Sequence, residues 1–482
     1  VWTILGSAAG LLLASWGSTA LVAMMTTFEE PIALETGPTW RLLGFSLALA
    51  FVTAAVCAIA PAFRATRLQT SSTLKEFAQL GGAAAPRLSL GKSLVVAQVA
   101  LTVLLLFGAA LFVRSLDRIL GQNPGFDRTG ILVISTDASA AGYDDDRHTG
   151  FYAALLQRLA TAPGVESASL SQYPPISDED GAWTQPIGVD GAPIDGDPSR
   201  EVYFNAVTAD YFRTLGIRLQ QGRGFTNGDH ATSRPVVVIN EQLARTYFPG
   251  RHPIGHTLTM GRNKSRRDLE IVGVVADVKY EHLMEPTRSV AFLPSSQWAE
   301  SLAGENLFAE VRVAGSVEPA AEGLRREIRA LDGSIPIRIQ TINDRIRASL
   351  VRERVIATLA TTLGLVALAL ACAGLYGLLA YTVSQRTREI GLRLALGADR
   401  QRMLWMVLRQ SLVLGAAGIA AGLAASLALG EFARNLLFQI SETDPLALSA
   451  SAAVMLTVAL FAGLLPARRA SSVEPVVALR TE

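Results

Sequence analysis

Apolar positions in this chain gather into six long runs with no Asp, Glu, Lys or Arg inside them: Val1 to Phe28, Leu42 to Phe63, Ser93 to Val113, Val355 to Gln385, Gln410 to Gly430 and Pro445 to Ala467. A hydrocarbon core of ~30 Å takes ~20 apolar residues in a helix, so each run is long enough to span it. Six such runs are hard to bury in a soluble protein, and the pattern predicts an α-helical membrane protein with six transmembrane helices. Between the third and fourth runs the chain is charged and proline-bearing. There, short β-rich stretches alternate with helical ones: Ile131 to Ser135 then Asp146 to Ala160, Val236 to Ile239 then Glu241 to Tyr247, Leu269 to Ala276, and Leu307 to Val313 then Val317 to Leu331. This reads as an α/β or α+β domain. Asn240 before Glu241, and Ser316 before Glu318 and Pro319, have the character of helix starts.

The stretch Ile342 to Gln385 contains no Pro and no obvious loop. Unbroken, it would run ~65 Å at 1.5 Å per residue, about twice the hydrocarbon thickness. The excess would project as a stalk, with Ile342, Ile346 and Leu350 spaced for packing and Asp344, Arg345, Arg347 and Arg352 solvated. The other reading is a break near Ser349, with the same stripe as ordinary core.

Charge gives these helices a direction, because Lys and Arg concentrate on cytoplasmic flanks. Between the second and third runs, Arg64, Arg67, Lys75, Arg87 and Lys92 face the single acid Glu76. Six Arg against Glu389 and Asp399 lie from Arg386 to Arg409, and Arg468, Arg469 and Arg480 follow the last run. The opposite connectors, Glu29 to Arg41 and Glu431 to Asp444, are mostly acidic. The alternation places Arg114 to Arg354 outside, which in a bacterium means the periplasm or cell exterior. A net charge of +1 argues against a nucleic-acid partner. Cys57 and Cys372 both fall inside predicted membrane helices, so no disulfide framework supports the outer domain. Val1 is no initiator and lacks the basic flank of a signal peptide, so an N-terminal part of a longer protein is expected upstream.

The chain also repeats itself. Pro61-Ala62-Phe63-Arg64-Ala65 and Leu74 correspond to Pro466-Ala467-Arg468-Arg469-Ala470 and Leu479, displaced by 405. Gly6 and Gly10 correspond to Gly418 and Gly422, displaced by 412. Each pair is a Gly-x-x-x-Gly spacing that lets another helix approach closely in lipid. The order implied is the last two helices of one four-helix unit (1–77), a cytoplasmic linker (78–92), then a complete unit comprising a helix (93–113), the outer domain with its stalk (114–354) and three further helices (355–482).

Candidate chemistry is sparse. Gly91-Lys92-Ser93 resembles the end of a phosphate-binding loop, but the first glycine of that motif would fall at Pro86 and no strand precedes it. His252 and His256 are separated by Pro253 and Gly255, which reads as a turn and not a metal site. No nucleophile elbow or dinucleotide loop is present, and no membrane run carries a charge for a proton relay. Catalytic, cofactor-binding and metal-binding residues are therefore expected to be absent.

Three stretches carry a family resemblance. The first runs from Tyr211-Phe212 and Leu215-Gly216-Ile217 through Val238-Ile239-Asn240-Glu241, Phe248-Pro249-Gly250 and Pro253-Ile254-Gly255 to Ile271-Val272-Gly273-Val274-Val275. The second is Arg388-Glu389-Ile390-Gly391-Leu392-Arg393 with Ala395-Leu396-Gly397-Ala398, and the third Pro466-Ala467-Arg468-Arg469-Ala470 with Pro475 and Ala478-Leu479-Arg480. In these the chain resembles the MacB/FtsX-like permeases, membrane subunits of a class of ABC systems. The repeat points to the duplicated orphan permease subgroup.

The resemblance implies a bacterial inner-membrane protein with a MacB-like periplasmic core domain and an FtsX-like permease domain. It implies no cofactor in this chain, ATP being bound by a partner ATPase that docks on Arg386 to Arg402, with Arg386, Arg388, Glu389, Ile390, Gly391, Arg393 and Leu396 as coupling residues. A basic amphipathic segment could instead rest on anionic lipid headgroups. Two functions share this topology. One is an export or extraction permease that engages a periplasmic adaptor or a hydrophobic cargo. The other is an ATPase-coupled signalling or scaffold protein that regulates a cell-envelope enzyme. An incomplete fragment is a third reading.

Overall fold

The computed structural model describes residues 90–482 apart from 178–182, 192–200, 262–265, 300–301, 303, 386–398, 434–442 and 472–482, with scattered positions between residues 6 and 55. In chain order the elements are α1 (Leu90–Leu120), β1 (Ile131–Thr136), α2 (Asp145–Thr161), β2 (Val165–Ser171), β3 (Thr184–Gln185), β4 (Ile187–Val189), β5 (Val202–Val207), α3 (Tyr211–Leu215), β6 (Leu219–Gly222), β7 (Val236–Asn240), α4 (Glu241–Tyr247), β8 (Thr257–Met260), β9 (Arg267–Val275), β10 (Val290–Pro294), β11 (Phe308–Val313), α5 (Val317–Leu331), β12 (Ile337–Thr341), α6 (Ile342–Ser349), α7 (Val351–Gln385), α8 (Arg400–Ala433) and α9 (Pro445–Ser471). They form two units, one of membrane helices and one spanning Ile119–Leu350.

Four helices among the described residues are long and apolar enough to cross a membrane: Gly91–Leu120, Val351–Gln385, Leu404–Gly430 and Pro445–Arg468. They correspond to the last four predicted runs. The first two runs, Val1 to Phe28 and Leu42 to Phe63, lie outside the described residues except at scattered positions. The outer unit thus follows the first described membrane helix and precedes the second. Leu94, Leu101, Leu363, Leu370, Phe461 and Leu465 stay exposed on the helices, as suits a lipid solvent.

In the outer unit β-branched runs make the strands, as in Val236-Val237-Val238-Ile239 of β7. Asn240 ends that strand and caps α4, its Oδ1 accepting from Leu243 N at 3.1 Å and from Val290 N at 2.9 Å. Asp144 likewise caps α2 through Arg147 N at 3.1 Å. The strands join in one sheet of order β12-β1-β11-β2-β5-β10-β7-β9-β8-β4, with β3 on β5 and β6 on β9. Its first four strands, with α2 after β1 and α5 after β11, form a split β-α-β arrangement into which residues between β2 and β11 are inserted.

The two faces of these four strands differ. Leu132, Ile134, Ala168, Leu170, Ala309 and Val311 turn one face to Phe151, Leu155 and Leu159 of α2 and Leu324 and Ile328 of α5. The other face, one residue out of phase, carries buried Ile131 and Val133 beside buried Ser167, Ser169, Ser171 and Glu310.

The predicted continuous helix from Ile342 to Gln385 is corrected: α6 ends at Ser349, Leu350 takes φ −108° and ψ 16°, and α7 starts at Val351. The cause is local hydrogen bonding backed by tertiary packing. Ser349 Oγ donates to Ile346 O at 3.0 Å, the carbonyl that Leu350 N–H would take in a continuing helix, and Leu350 N–H turns to Ala348 O. Ile342, Ile346 and Leu350 are at most 2 % exposed, so the stripe is core of the outer unit and not a projecting stalk.

Candidate functional site

Within the membrane unit, contact is made through small residues. A Cβ added to Gly418 would lie 2.5 Å from Val99 Cγ1 and 3.1 Å from Val96 O, and one on Gly422 would lie 2.7 Å from both Ala100 O and Val103 Cβ. The two glycines therefore let α8 approach the backbone of α1 more closely than any side chain allows. Among the described residues no atom lies within 4 Å of the corresponding position at Gly6 or Gly10. Thr102 Oγ1 of α1 sits 2.8 Å from Gln98 O and 3.2 Å from Ala367 O of α7, and Ser411 Oγ of α8 donates to Ala459 O of α9 at 2.7 Å. Hydroxyl-to-carbonyl bonds of this kind tie helices together without a charge in the bilayer.

Charge enters at one end of the unit. Asp444 caps α9, its Oδ1 accepting from Leu446 N at 2.9 Å and Ala447 N at 3.0 Å, and the same carboxylate pairs with Arg114 of α1. Phe107 and Leu111 of α1 pack there with Ala447 and Leu448. The sequence does announce the cap, an Asp before a Pro at the first helical position. It does not announce Arg114, which lies 330 residues away.

The predicted coupling residues Arg386, Arg388, Glu389, Ile390, Gly391, Arg393 and Leu396 lie outside the described residues. Arg400, Gln401 and Arg402 form the first turn of α8, with Asp399 Oδ1 accepting from Gln401 N at 3.2 Å.

The stripe residues Ile342 and Ile346 seat α6 against β12 and β1. Glu310 of β11, opposite Val133 of β1 and Ser169 of β2, is fully buried and accepts from Ser169 Oγ at 2.9 Å and from Ser171 Oγ. Burial pushes its carboxyl up to about 8, against the downward pull of the two serines and the Arg345 guanidinium. Sequence reading passes over this group because Phe308-Ala309-Glu310-Val311-Arg312-Val313 alternates like a strand with one solvated face.

Two other features bear on chemistry. Glu281, His282 and Glu285 bring potential metal-ligating atoms within 4.8 Å of one another. Arg288 already occupies the cation's place, 2.6 Å from Glu281 Oε2 and 2.9 Å from Glu285 Oε2, so the set is a closed ion-pair cluster. A cleft of about 450 Å³ is lined by residues including Leu156, Gln157, Ala160, Phe225, Asn227 and Pro294, room for a drug-sized molecule. Its Asp210 pairs with Arg213 at 3.2 Å. The loop beside it is organised by Asp229, which accepts two bonds from Arg223 at 2.7 and 2.8 Å and one from Thr226 N at 2.8 Å. The Arg223 guanidinium holds that carboxyl below its usual range.

Comparison with known proteins agrees with this division. Residues 93–327 match the MacB-like periplasmic core domain and residues 361–475 the FtsX-like permease C-terminal domain. The chain is 26% identical over 271 residues to the macrolide export ATP-binding/permease protein MacB of Nitrosomonas europaea, covering 55% of this chain and 40% of that protein. It is 29% identical over 278 residues to the protein of the same name from Chlorobium luteolum, covering 54% and 40%. The chain thus spans less than half the length of these relatives. The solved periplasmic region of MacB from Actinobacillus actinomycetemcomitans is 18% identical, with a TM-score of 0.34, covering 46% of this chain and 94% of that one. With apolar helices flanking a folded outer domain and both family regions present in order, the chain belongs to the MacB/FtsX-like ABC permease family, as a multi-pass inner-membrane protein with a periplasmic domain.

Proposed function

We propose that this chain is the membrane permease subunit of an ABC-type export or extraction system, in which a separate cytoplasmic ATPase acts on Arg386 to Arg402 and α7 passes the movement to the periplasmic domain. One observation carries the reading: a single residue, Leu350, separates α7 from α6, and α6 is seated in the core of the outer unit by Ile342 and Ile346. Displacing α7 along its axis then acts on a packed element and not on a slack loop, and packed elements switch between discrete arrangements. Cargo need not cross between the helices. The relatives named above are macrolide exporters, and the corresponding cargo here is an amphiphilic molecule taken up on the outer face with a periplasmic adaptor as partner. Membrane lipids solvate the exposed helix faces. The internal repeat supports assignment to the duplicated permeases.

Gly91-Lys92-Ser93, the nearest approach to a phosphate-binding loop in these 482 residues, is the first turn of α1, so we assign ATP to a nucleotide-binding domain outside them. The test is to extract the tagged chain in mild detergent and assay ATPase activity that travels with the tag. Changing Glu389 and Arg393 to Ala is expected to lower that activity at least about tenfold, the loss of a coupling worth about 1.4 kcal/mol, while insertion is unchanged. Absence of any associated ATPase would overturn the reading in favour of an envelope scaffold.

A further inference from the structure

α7 leads out of the periplasmic domain and crosses the bilayer, so α8 begins on the cytoplasmic side. Its apolar span opens at Leu404, yet Arg409 lies more than a turn inside it. The helical period puts Leu404, Val407 and Ser411 on one face of α8 and Arg402, Trp405 and Arg409 on the opposite one. Burial follows that division. Val407 packs with Leu379 of α7 and Ala467 of α9, and buried Ser411 bonds to Ala459 O. Arg402, Trp405 and Arg409 are exposed, Trp405 by 59%. Neither guanidinium has a hydrogen bond or an ion pair among the described residues. No Asp or Glu occurs from Arg400 to Gly430, so α8 offers no acid of its own to these arginines over that stretch. Beyond Arg409 the same face becomes apolar and small-sided, with Val413, Ala416 and Ala420 exposed.

We propose that this face binds an anionic glycerophospholipid of the cytoplasmic leaflet, with Arg402 and Arg409 on its phosphodiester, Trp405 beside its glycerol esters and one acyl chain along Val413, Ala416 and Ala420. An arginine on a lipid-facing surface is costly in hydrocarbon, and its long side chain carries the charge back toward the headgroups. Arg402 and Arg409 stand two turns apart, ~10 Å along the axis, a gap that Arg409 narrows by reaching outward. Guanidinium forks take phosphate oxygens in pairs, and a Trp ring settles at the bilayer interface. A zwitterionic lipid offers the same phosphate but sets its own ammonium beside it, facing two arginines of like charge. A headgroup with an uncharged polyol, as in phosphatidylglycerol, leaves the phosphate charge to them. An acidic protein surface would match the arginines but not the apolar continuation through Val413 and Ala416, which lies within the membrane span. The site requires no nucleotide, so its failure and the failure of the ATPase reading are separately visible.

The test is native mass spectrometry of the tagged full chain in mild detergent, titrated separately with phosphatidylglycerol and with phosphatidylcholine of the same acyl chains. The tightest bound lipid is expected to be held at least about fivefold more strongly when it is phosphatidylglycerol, the effect of one basic residue at an anionic surface. Arg409→Gln should remove most of that preference, and Arg409→Lys should keep part of it because the charge stays. Lys92→Gln removes a cytoplasmic-flank charge from α1 and is the control for diffuse attraction, expected to leave the preference unchanged. Equal affinity for the two lipids, a preference that survives Arg402→Gln combined with Arg409→Gln, or an equal loss in Lys92→Gln would each overturn the site. Should the arginine variants fail to insert, Trp405 decides in the otherwise unaltered chain. Its emission, taken as the difference from Trp405→Phe, is read in nanodiscs holding a minor fraction of brominated phosphatidylglycerol or brominated phosphatidylcholine. Stronger quenching by the anionic lipid supports the proposal and equal quenching overturns it.

Discussion

Where α8 crosses α1, glycine meets backbone: Gly418 and Gly422 lie against Val96, Val99, Ala100 and Val103 with no space for a side chain. Where β2 and β11 meet the layer beneath their polar face, serine hydroxyls meet a buried carboxylate. The difference follows from the solvent. Lipid supplies no hydrophobic drive between helices, so the membrane unit depends on close van der Waals contact and on bonds such as Ser411 to Ala459 O. The outer unit folds in water and gains ~25 cal/mol per Å² of apolar surface buried under α2 and α5, enough to carry one expensive group on its opposite face. Held by two serine hydroxyls and raised by burial, that carboxyl makes the outer unit's stability depend on its protonation.

The largest expected effect tests that expense directly. The Glu310 carboxyl is raised from its ordinary 4.5 to about 8, so the folded outer unit holds the proton more tightly than the unfolded chain. Its contribution is fully present below about pH 4.5 and is lost as pH rises through about 8, on the order of 5 kcal/mol in all. Urea unfolding of the outer unit in the full chain, read at Trp183 and Trp298, should show stability falling over that window and a much flatter profile in Glu310→Gln. The depressed Asp229 works in the other direction, stabilising above its usual range and losing that contribution as pH falls through its lowered value. A profile that rises through neutral pH would remove the contrast between the two faces.

The membrane side of the comparison is tested by overpacking. Gly422→Val should cost about 1–3 kcal/mol because its side chain meets the Ala100 carbonyl and Val103 Cβ, and neither can give way. Gly377→Val, in α7 with nothing within 4 Å, serves as the control and should be close to neutral. Titrated unfolding in mixed detergent would compare the two. Equal losses would mean that the glycines of α8 are dispensable and that its contact with α1 is not close-packed in the membrane.

Much of this contrast could be read from the sequence, but unevenly. The four described membrane helices fall on the last four apolar runs, α5 begins and ends on its predicted residues through its apolar period although Ser316 makes no side-chain cap bond, and α4 does too, with the Asn240 cap. The short strands β3, β4, β6 and β8 carry too few residues for any period to show. The break at Leu350 stands in the sequence only as the alternative reading, because no Pro or Gly marks it and it depends on Ser349 and on where Ile342 and Ile346 are buried. Glu310 was hidden because an alternating strand reads the same whether its polar face meets water or a second layer. The buried polar layer and the Arg114–Asp444 pair both join residues far apart in the chain, which no local period records.

That pair gives the smallest effect and the finest test. Asp444 does two things at once: it caps α9 and it neutralises Arg114. Asp444→Ala removes both and should cost about 1–2 kcal/mol, of which capping alone accounts for about 1. Asp444→Asn retains an oxygen for Leu446 N and Ala447 N but loses the charge, so its cost isolates the ion pair. Arg114 is 31% exposed, and water screens the pair accordingly, so the Asn variant should lose well under about 1 kcal/mol. A double-mutant cycle with Arg114→Ala measures the coupling. If Asn costs as much as Ala, the carboxylate's charge and not its cap holds α1 to α9, and the membrane unit would share with the outer one a dependence on electrostatics.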